Sequence, residues 1–168
     1  MIVSNKGYGI CLDNVGMVQS ASYSASDEGM HSKKPVNILM VEDNPMDALL
    51  TVEILSESEK NSYRSDIVKD GVEAISYLHK RNGYEKTLRP DLILLDLNLP
   101  RLHGFDFLTK IKTEPELKTI PVCIFTTSEA EGDIEKAKEL KADCYFIKPL
   151  NLDEFESRIS GIVANLLP

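Results

Sequence analysis

The stretch Leu92-Ile-Leu-Leu-Asp96 is the most apolar run of the chain, and it lies between Pro90 and Pro100. The run is too short for an independent helix, and the flanking prolines limit it at both ends. An uninterrupted apolar segment of this length is typical of a strand that is covered on both faces in a parallel sheet. The segment therefore predicts a central strand that ends in a carboxylate.

Short apolar runs alternate with amphipathic segments of helical length on both sides of this strand. We predict strands over 37–41, 64–68, 92–96, 121–126 and 144–147, and helices over 45–58, 71–80, 105–112, 133–140 and 152–166. In the last helix, apolar residues recur every three or four positions, which indicates one buried face. This alternation is typical of an α/β protein, here a doubly wound (βα)5 fold around a five-stranded parallel sheet.

The length of the chain, 168 residues, suits one domain and a tail. Residues 1–34 are rich in Ser and Gly and show no sustained apolar periodicity, so we predict a disordered N-terminal extension there and a folded domain over 35–168. Met30 lies shortly before the first predicted strand. One hypothesis is therefore that natural translation begins at Met30.

The charge balance argues against two classes of ligand. With 19 Lys and Arg against 27 Asp and Glu, the formal net charge is −8, which opposes binding to nucleic acid or to anionic membranes. No apolar run approaches the roughly 20 residues of a membrane span, and no secretion signal is present. Three cysteines without a close pairing suit a reducing compartment. These features predict a soluble, cytoplasmic protein.

Polar side chains follow four of the predicted strands. Glu42 and Asp43 follow the first, Asp96 ends the third, Thr126 ends the fourth and Lys148 follows the fifth. Because ligands of open α/β sheets bind at the carboxyl ends of the strands, we expect these groups to share one crevice. Converging carboxylates either raise one another's pKa or require a divalent cation, and Mg²⁺ prefers oxygen ligands of this kind together with phosphate oxygens.

This set of groups indicates phosphoryl chemistry. Asp96 is the candidate nucleophile, since attack by a carboxylate on a phosphoryl group gives an aspartyl phosphate. The Lys148 ammonium and the Thr126 hydroxyl can bind phosphoryl oxygens. The sequence contains no phosphate-binding loop, dinucleotide-binding or nucleophile-elbow motif.

Four motifs, each at the end of a predicted strand, resemble those of the response-regulator receiver family of two-component signalling. They are Val41-Glu-Asp-Asn44, Leu94-Leu-Asp-Leu-Asn-Leu-Pro100 with Gly104, Phe125-Thr-Thr-Ser128 and Tyr145-Phe-Ile-Lys-Pro149. The resemblance spans roughly 36–167 and implies the flavodoxin-like receiver fold. More closely, the segments over 89–100 and 120–128 resemble single-domain regulators that partner phytochrome kinases.

The resemblance implies specific roles for the metal-binding residues. Asp43, Asp96 and the backbone carbonyl of Asn98 would bind Mg²⁺, and Glu42 would support the ion through water. Asp96 would accept the phosphoryl group from the phosphohistidine of a sensor histidine kinase, and the resemblance to phytochrome-associated regulators implies a kinase of the phytochrome type. His103 departs from the family pattern, in which Asp or Asn commonly precedes the glycine.

The remaining roles concern the phosphorylated state. Thr126 and Lys148 would contact the phosphoryl group, and Thr126 with the aromatic residue Tyr145 would form the conformational switch. The Lys148–Pro149 peptide bond would be cis. No DNA-binding segment follows the last predicted helix, so output would depend on protein contacts: a downstream target, a phosphotransfer protein, or a homodimer on the face of the fourth and fifth βα units.

On this interpretation the protein is not an enzyme, beyond catalysing its own phosphorylation and dephosphorylation. One alternative is a phosphohydrolase of the haloacid-dehalogenase type, which forms an aspartyl phosphate but usually needs a second Asp two residues later; Asn98 occupies that position. Another is a non-phosphorylated pseudo-receiver that only binds partners. Such proteins tend to lose the acidic pair or the lysine, and both are present here.

Overall fold

The computed structural model describes residues 10–11, 34–57, 62–148 and the helical positions 157, 159 and 161. Its elements, in chain order, are β1 (Ile10–Cys11), β2 (Val36–Val41), α1 (Pro45–Ser56), β3 (Tyr63–Val68), α2 (Gly71–Leu78), β4 (Leu92–Leu95), α3 (Gly104–Thr113), β5 (Val122–Thr126), α4 (Glu131–Glu139) and β6 (Cys144–Ile147). Most of the predicted helix over 152–166 and the predicted cis bond before Pro149 fall outside the described residues.

The strands form one sheet in the order β1-β6-β5-β4-β2-β3. All pairs among β2 to β6 are parallel, which confirms the predicted five-stranded parallel sheet of the flavodoxin-like fold. The predicted central strand is β4, which pairs with β2 on one side and β5 on the other.

The central strand is buried on both faces, as its sequence predicts. Ile93 and Leu95 belong to the core that the sheet forms with α2, α3 and α4. Leu92 and Leu94 point to the opposite face, where the core also contains residues of α1 and Ile159. Burial of each of these side chains stabilises the fold by about 1.5–3 kcal/mol. Because β4 is packed on both faces, its position in the sheet is fixed, and so is the position of Asp96, the residue that follows it.

Local hydrogen bonds define the start of α1 and the end of α2. Asn44 caps α1, its side-chain oxygen accepting from the Met46 N–H at 3.0 Å, and Pro45 occupies the first helical position. The second helix ends two residues before its predicted end. There Lys80 adopts φ +54°, and the Arg81 N–H reaches back to the Ser76 carbonyl at 2.9 Å, which is a Schellman closure.

The two-residue strand β1 lies within the extension that was predicted to be disordered. It pairs antiparallel with β6, so that Ile10 is opposite Tyr145 and Cys11 is opposite Cys144. In the parallel neighbour, Cys123 is opposite Cys144. The three cysteines of the chain thus occupy one row across three strands. Residues 1–9 and 12–33 fall outside the described residues, and their disorder stays a prediction.

Among the helices that the structure describes, none combines the length and the apolar character needed to cross a bilayer.

Candidate functional site

Three acidic side chains lie together at the carboxyl ends of β2 and β4. Glu42 and Asp43 follow β2, and Asp96 follows β4. Val41 pairs with Leu95 in the parallel ladder, and the Asp96 N–H donates to the Val41 carbonyl at 3.0 Å, so the two strands end at the same level. One carboxylate oxygen of each acid lies within 4.8 Å of the others. The structure therefore brings the three predicted carboxylates into one cluster, called the acidic cluster below.

The members of the acidic cluster differ in their access to water. Glu42 and Asp96 are 5% and 7% exposed, whereas Asp43 is open to solvent. Burial raises the pKa of the Glu42 carboxyl, although the hydrogen bond and charge of Lys148 and the N–H of Asn44 act in the opposite direction. Two buried carboxylates close together are costly without positive charge beside them. The acidic cluster is therefore a place where a cation binds favourably.

Lys148, the residue after β6, supplies positive charge from the protein itself. Its Nζ donates to Glu42 Oε2 at 2.5 Å, to Asp47 Oδ2 at 2.8 Å and to Asp96 Oδ2 at 2.9 Å. Burial alone lowers the pKa of this ammonium, but the three hydrogen bonds to carboxylates outweigh burial and raise it above its ordinary value. Lys148 is therefore charged throughout the physiological pH range and is fixed beside Asp96.

The donor set of the acidic cluster fits a hard divalent cation. It consists of carboxylate oxygens, which Mg²⁺ and Mn²⁺ prefer, and Asp43 leaves the cluster open to water. Asn98 lies beside this cluster, because its backbone N–H donates to Asp96 Oδ1 at 3.2 Å. The two oxygens of Asp96 thus contact different groups, the Asn98 backbone on Oδ1 and Lys148 on Oδ2.

Thr126 of β5 and Tyr145 of β6 belong to one hydrogen-bonded network through Ser128. Thr126 is fully buried at the end of β5, and its hydroxyl oxygen accepts from the Ser128 N–H at 3.3 Å. The Tyr145 hydroxyl donates to the Ser128 carbonyl at 3.0 Å, and burial raises the pKa of Tyr145. The Ser128 hydroxyl donates to Asp133 of α4 at 2.6 Å. Ser128 therefore links the two predicted switch residues to α4.

The loop that follows Asp96 packs tightly against the start of α3. A Cβ on Gly104 would lie 2.6 Å from the Asp96 carbonyl oxygen and 2.7 Å from the Cα of Leu97. His103 caps this helix through Nδ1, which accepts from the Phe105 N–H at 3.3 Å. The departure from the family pattern at position 103 thus preserves a capping side chain.

The sequence analysis missed Asp47, the third carboxylate on Lys148. Asp47 lies in the first turn of α1, three residues after the cap Asn44, and its side chain is 36% exposed. The sequence signal is an acid in the first turn of the helix that directly follows Asp43, a turn that begins at the carboxyl end of β2. That signal also fits ordinary stabilisation of the helix N-terminus, so it does not by itself identify a site residue.

Comparisons with known proteins agree with this geometry. The family model of the response regulator receiver domain matches residues 38–160. Response regulator Rcp1 of Synechocystis sp. is 42% identical over 137 residues, which cover 82% of this chain and 90% of that protein.

Two solved structures are similar to the chain over most of their length. The phosphorylated cyanobacterial phytochrome response regulator RcpA is 40% identical with a TM-score of 0.72, covering 80% of this chain and 95% of its own. The Mn²⁺-bound form of response regulator Rcp1 is 41% identical with a TM-score of 0.70, and the match covers 79% of this chain and 95% of that chain.

Proposed function

Because the chain belongs to the response regulator receiver family, we propose that Asp96 is its phosphoacceptor. The protein is a phosphorylatable response regulator with an acidic pocket typical of the family. The observation that supports Asp96 is its position: it is a buried carboxylate whose two oxygens contact different groups, the Asn98 N–H on Oδ1 and the Lys148 ammonium on Oδ2.

Transfer to Asp96 is a substitution at phosphorus. One carboxylate oxygen forms the new P–O bond while the bond from phosphorus to the donor nitrogen of a phosphohistidine breaks, and the electron pair leaves with the histidine. Catalysis then consists of positioning and of neutralising negative charge. Lys148 contributes both, since its ammonium lies 2.9 Å from Asp96 and is held by two further carboxylates.

We assign Mg²⁺ as the natural cation of the acidic cluster. Asp43, Asp96 and the Asn98 carbonyl would hold it, with Glu42 acting through water, as in similar proteins. The oxygen-only donor set supports this assignment, and a related response regulator has been crystallised with Mn²⁺. When bound, the cation supplies the positive charge that lets an anionic donor approach a carboxylate.

Thr126 is proposed to carry the signal away from Asp96. Its hydroxyl oxygen accepts one hydrogen bond from the Ser128 N–H, and a hydroxyl can also donate its proton to a phosphoryl oxygen. A movement of Thr126 towards Asp96 would pull on Ser128, which is bonded to Tyr145 and Asp133. Phosphorylation would thereby alter the face formed by β6 and α4, where a downstream protein, a phosphotransfer protein or a second copy would bind.

The phosphodonor is proposed to be a sensor histidine kinase of the phytochrome type. The support is the family itself and the phytochrome-associated regulators among its relatives. Next to the acceptor site, α1 exposes Met46, Leu49 and Leu50, which are 71%, 60% and 45% exposed. Large exposed apolar side chains that adjoin a functional site mark a protein-binding surface. We propose that this α1 patch docks the kinase.

The test of Asp96 uses a small phosphodonor, so that no partner is needed. Incubation with MgCl₂ and acetyl phosphate, followed by intact-mass measurement, should add one phosphoryl group to the wild type and none to Asp96→Asn. Asp106→Asn, which alters an exposed acid on α3, is the matched control and should be labelled like the wild type. Equal labelling of Asp96→Asn would refute the assignment, and rapid multiple turnover of p-nitrophenyl phosphate would favour a phosphohydrolase.

A further inference from the structure

Lys148 has one carboxylate partner that does not belong to the acidic cluster. Its Nζ contacts Asp47 at 2.8 Å, as closely as it contacts Asp96. The carboxylate oxygens that lie within 4.8 Å of one another come from Glu42, Asp43 and Asp96. Of the described acids bonded to Lys148, Asp47 alone therefore has no place in the cation site.

The ammonium group has three N–H donors, and three carboxylates accept them. A phosphoryl oxygen can bind Lys148 only after one of these acceptors gives way. Asp96 is that acceptor, because bonding to phosphorus converts its carboxylate into an acyl phosphate with no charge on the carbonyl oxygen. Glu42 is drawn towards a cation in the acidic cluster. Asp47 takes part in neither change.

We infer that Asp47 is a positioning residue for phosphoryl transfer, whose carboxylate holds the Lys148 ammonium beside Asp96 while the other two acceptors are engaged elsewhere. This inference rests on the proposed function of Asp96.

The attachment of α1 makes Asp47 suitable for this role. The helix begins at a capped turn, with Asn44 accepting from the Met46 N–H, and Ala48 next to Asp47 is 2% exposed in the core. The Thr51 hydroxyl also donates to the Asp47 carbonyl at 2.8 Å. The backbone that carries the Asp47 carboxylate is therefore fixed relative to the sheet.

If Asp47 positions Lys148 it should raise the labelling rate, whereas if it acts only through its negative charge it should lower that rate. The inference is therefore testable. A negative charge near Asp96 repels an anionic phosphodonor, so an Asp47 that acted only through its charge would slow the reaction, and its removal would accelerate labelling. An Asp47 that positions Lys148 accelerates the reaction, and its removal would slow labelling.

The experiment measures the labelling rate with acetyl phosphate at saturating MgCl₂ by intact mass. Asp47→Asn should be slowed about tenfold, the effect of weakening one charge-assisted hydrogen bond. Asp47→Glu should recover most of the rate. Glu53→Gln, the same charge change at an exposed position of α1, should react like the wild type. Added Mg²⁺ should raise the melting temperature of the protein. The Mg²⁺ concentration at the midpoint of this rise should be the same in Asp47→Asn and wild type.

A double-mutant cycle separates action through Lys148 from a general structural effect. In a Lys148→Ala background, Asp47→Asn should cause no further slowing. The inference is overturned if Asp47→Asn reacts as fast as the wild type or faster, if its Mg²⁺ midpoint rises in proportion to the loss of rate, or if the slowing persists without Lys148. Labelling of Asp96→Asn would instead overturn the proposed function, so the two failures are distinguishable.

Discussion

Asp70 is a buried acid that is not a member of the acidic cluster and that stabilises the fold. Its side chain caps α2, accepting from the N–H groups of Val72 and Glu73 at 2.9 Å each. It also accepts from Arg101 Nε at 2.8 Å and contacts Arg101 Nη2. Burial alone raises the pKa of Asp70, but these hydrogen bonds and the guanidinium charge outweigh it, and the pKa is lowered. The ionised form of Asp70 is therefore tied to the folded state.

Replacing Asp70 should destabilise the protein in a pH-dependent manner. A lowered folded-state pKa means that the contribution is complete above the unfolded value, near 3.8, and is lost as the pH falls through the folded value. We expect Asp70→Ala to lower the free energy of unfolding by about 1–3 kcal/mol near neutral pH. Urea unfolding across the acidic range should show the difference shrinking below pH 3.8. Glu135→Ala, at an exposed position of α4, is the control; a difference that stayed constant into strong acid would contradict this account.

Site residues that directly follow strands are predictable from the sequence, and those on helices are much less so. Glu42, Asp96 and Lys148 each come after an apolar strand, and parallel strands end on one edge of a sheet. Asp47 reaches Lys148 only because α1 packs on the sheet at a particular rotation. That rotation depends on side chains distant in sequence, so the pattern alone does not distinguish Asp47 from Glu53.

The contact between α3 and the loop after β4 holds Asp96 in place. Gly104→Ala should destabilise the protein by about 1–3 kcal/mol, because the new methyl group would overlap the Asp96 carbonyl oxygen. Gly132→Ala, also in the first turn of a helix, meets no atom within 4 Å and should be neutral or stabilising. Thermal unfolding of the two variants measures the difference. If both behaved alike, the close approach would not contribute to stability.

An element is predictable from the sequence when its apolar pattern is clear, and β4, α1 and β1 differ in this respect. The sequence predicts β4 because Leu92–Leu95 is apolar without interruption. The helix α1 is apolar on two sides, with buried Ile54 and Leu55 and exposed Leu49 and Leu50, so its periodicity does not identify the buried face. The strand β1 was missed because two residues in a polar segment carry no periodicity, and its partner β6 is far away in sequence.

The α1 patch should matter for phosphotransfer from the kinase and not for labelling by small phosphodonors. Leu50→Asn should reduce phosphotransfer from a cognate kinase about tenfold, as expected when one apolar contact of an interface is lost. Labelling by acetyl phosphate should be unchanged, because the Leu50 side chain has neither charge nor a hydrogen-bonding group to contribute to the acidic cluster. Leu88→Asn is matched in exposure, 46% against 45%, and precedes the amino end of β4, so it should leave both reactions unchanged. Equal loss of transfer in both variants would exclude α1 as the docking surface.

The bonds of Lys148 also determine when the protein becomes able to receive a signal. They join residues 52, 101 and 106 positions apart, and they link the end of β6 to the ends of β4 and β2 and to α1. A nascent chain on the ribosome exposes Glu42 and Asp96 long before Lys148 is synthesised. Until the final strand docks, those acids lack their internal counter-charge and the site is incomplete. The order of synthesis therefore makes β6 the element that completes the charge balance of the site.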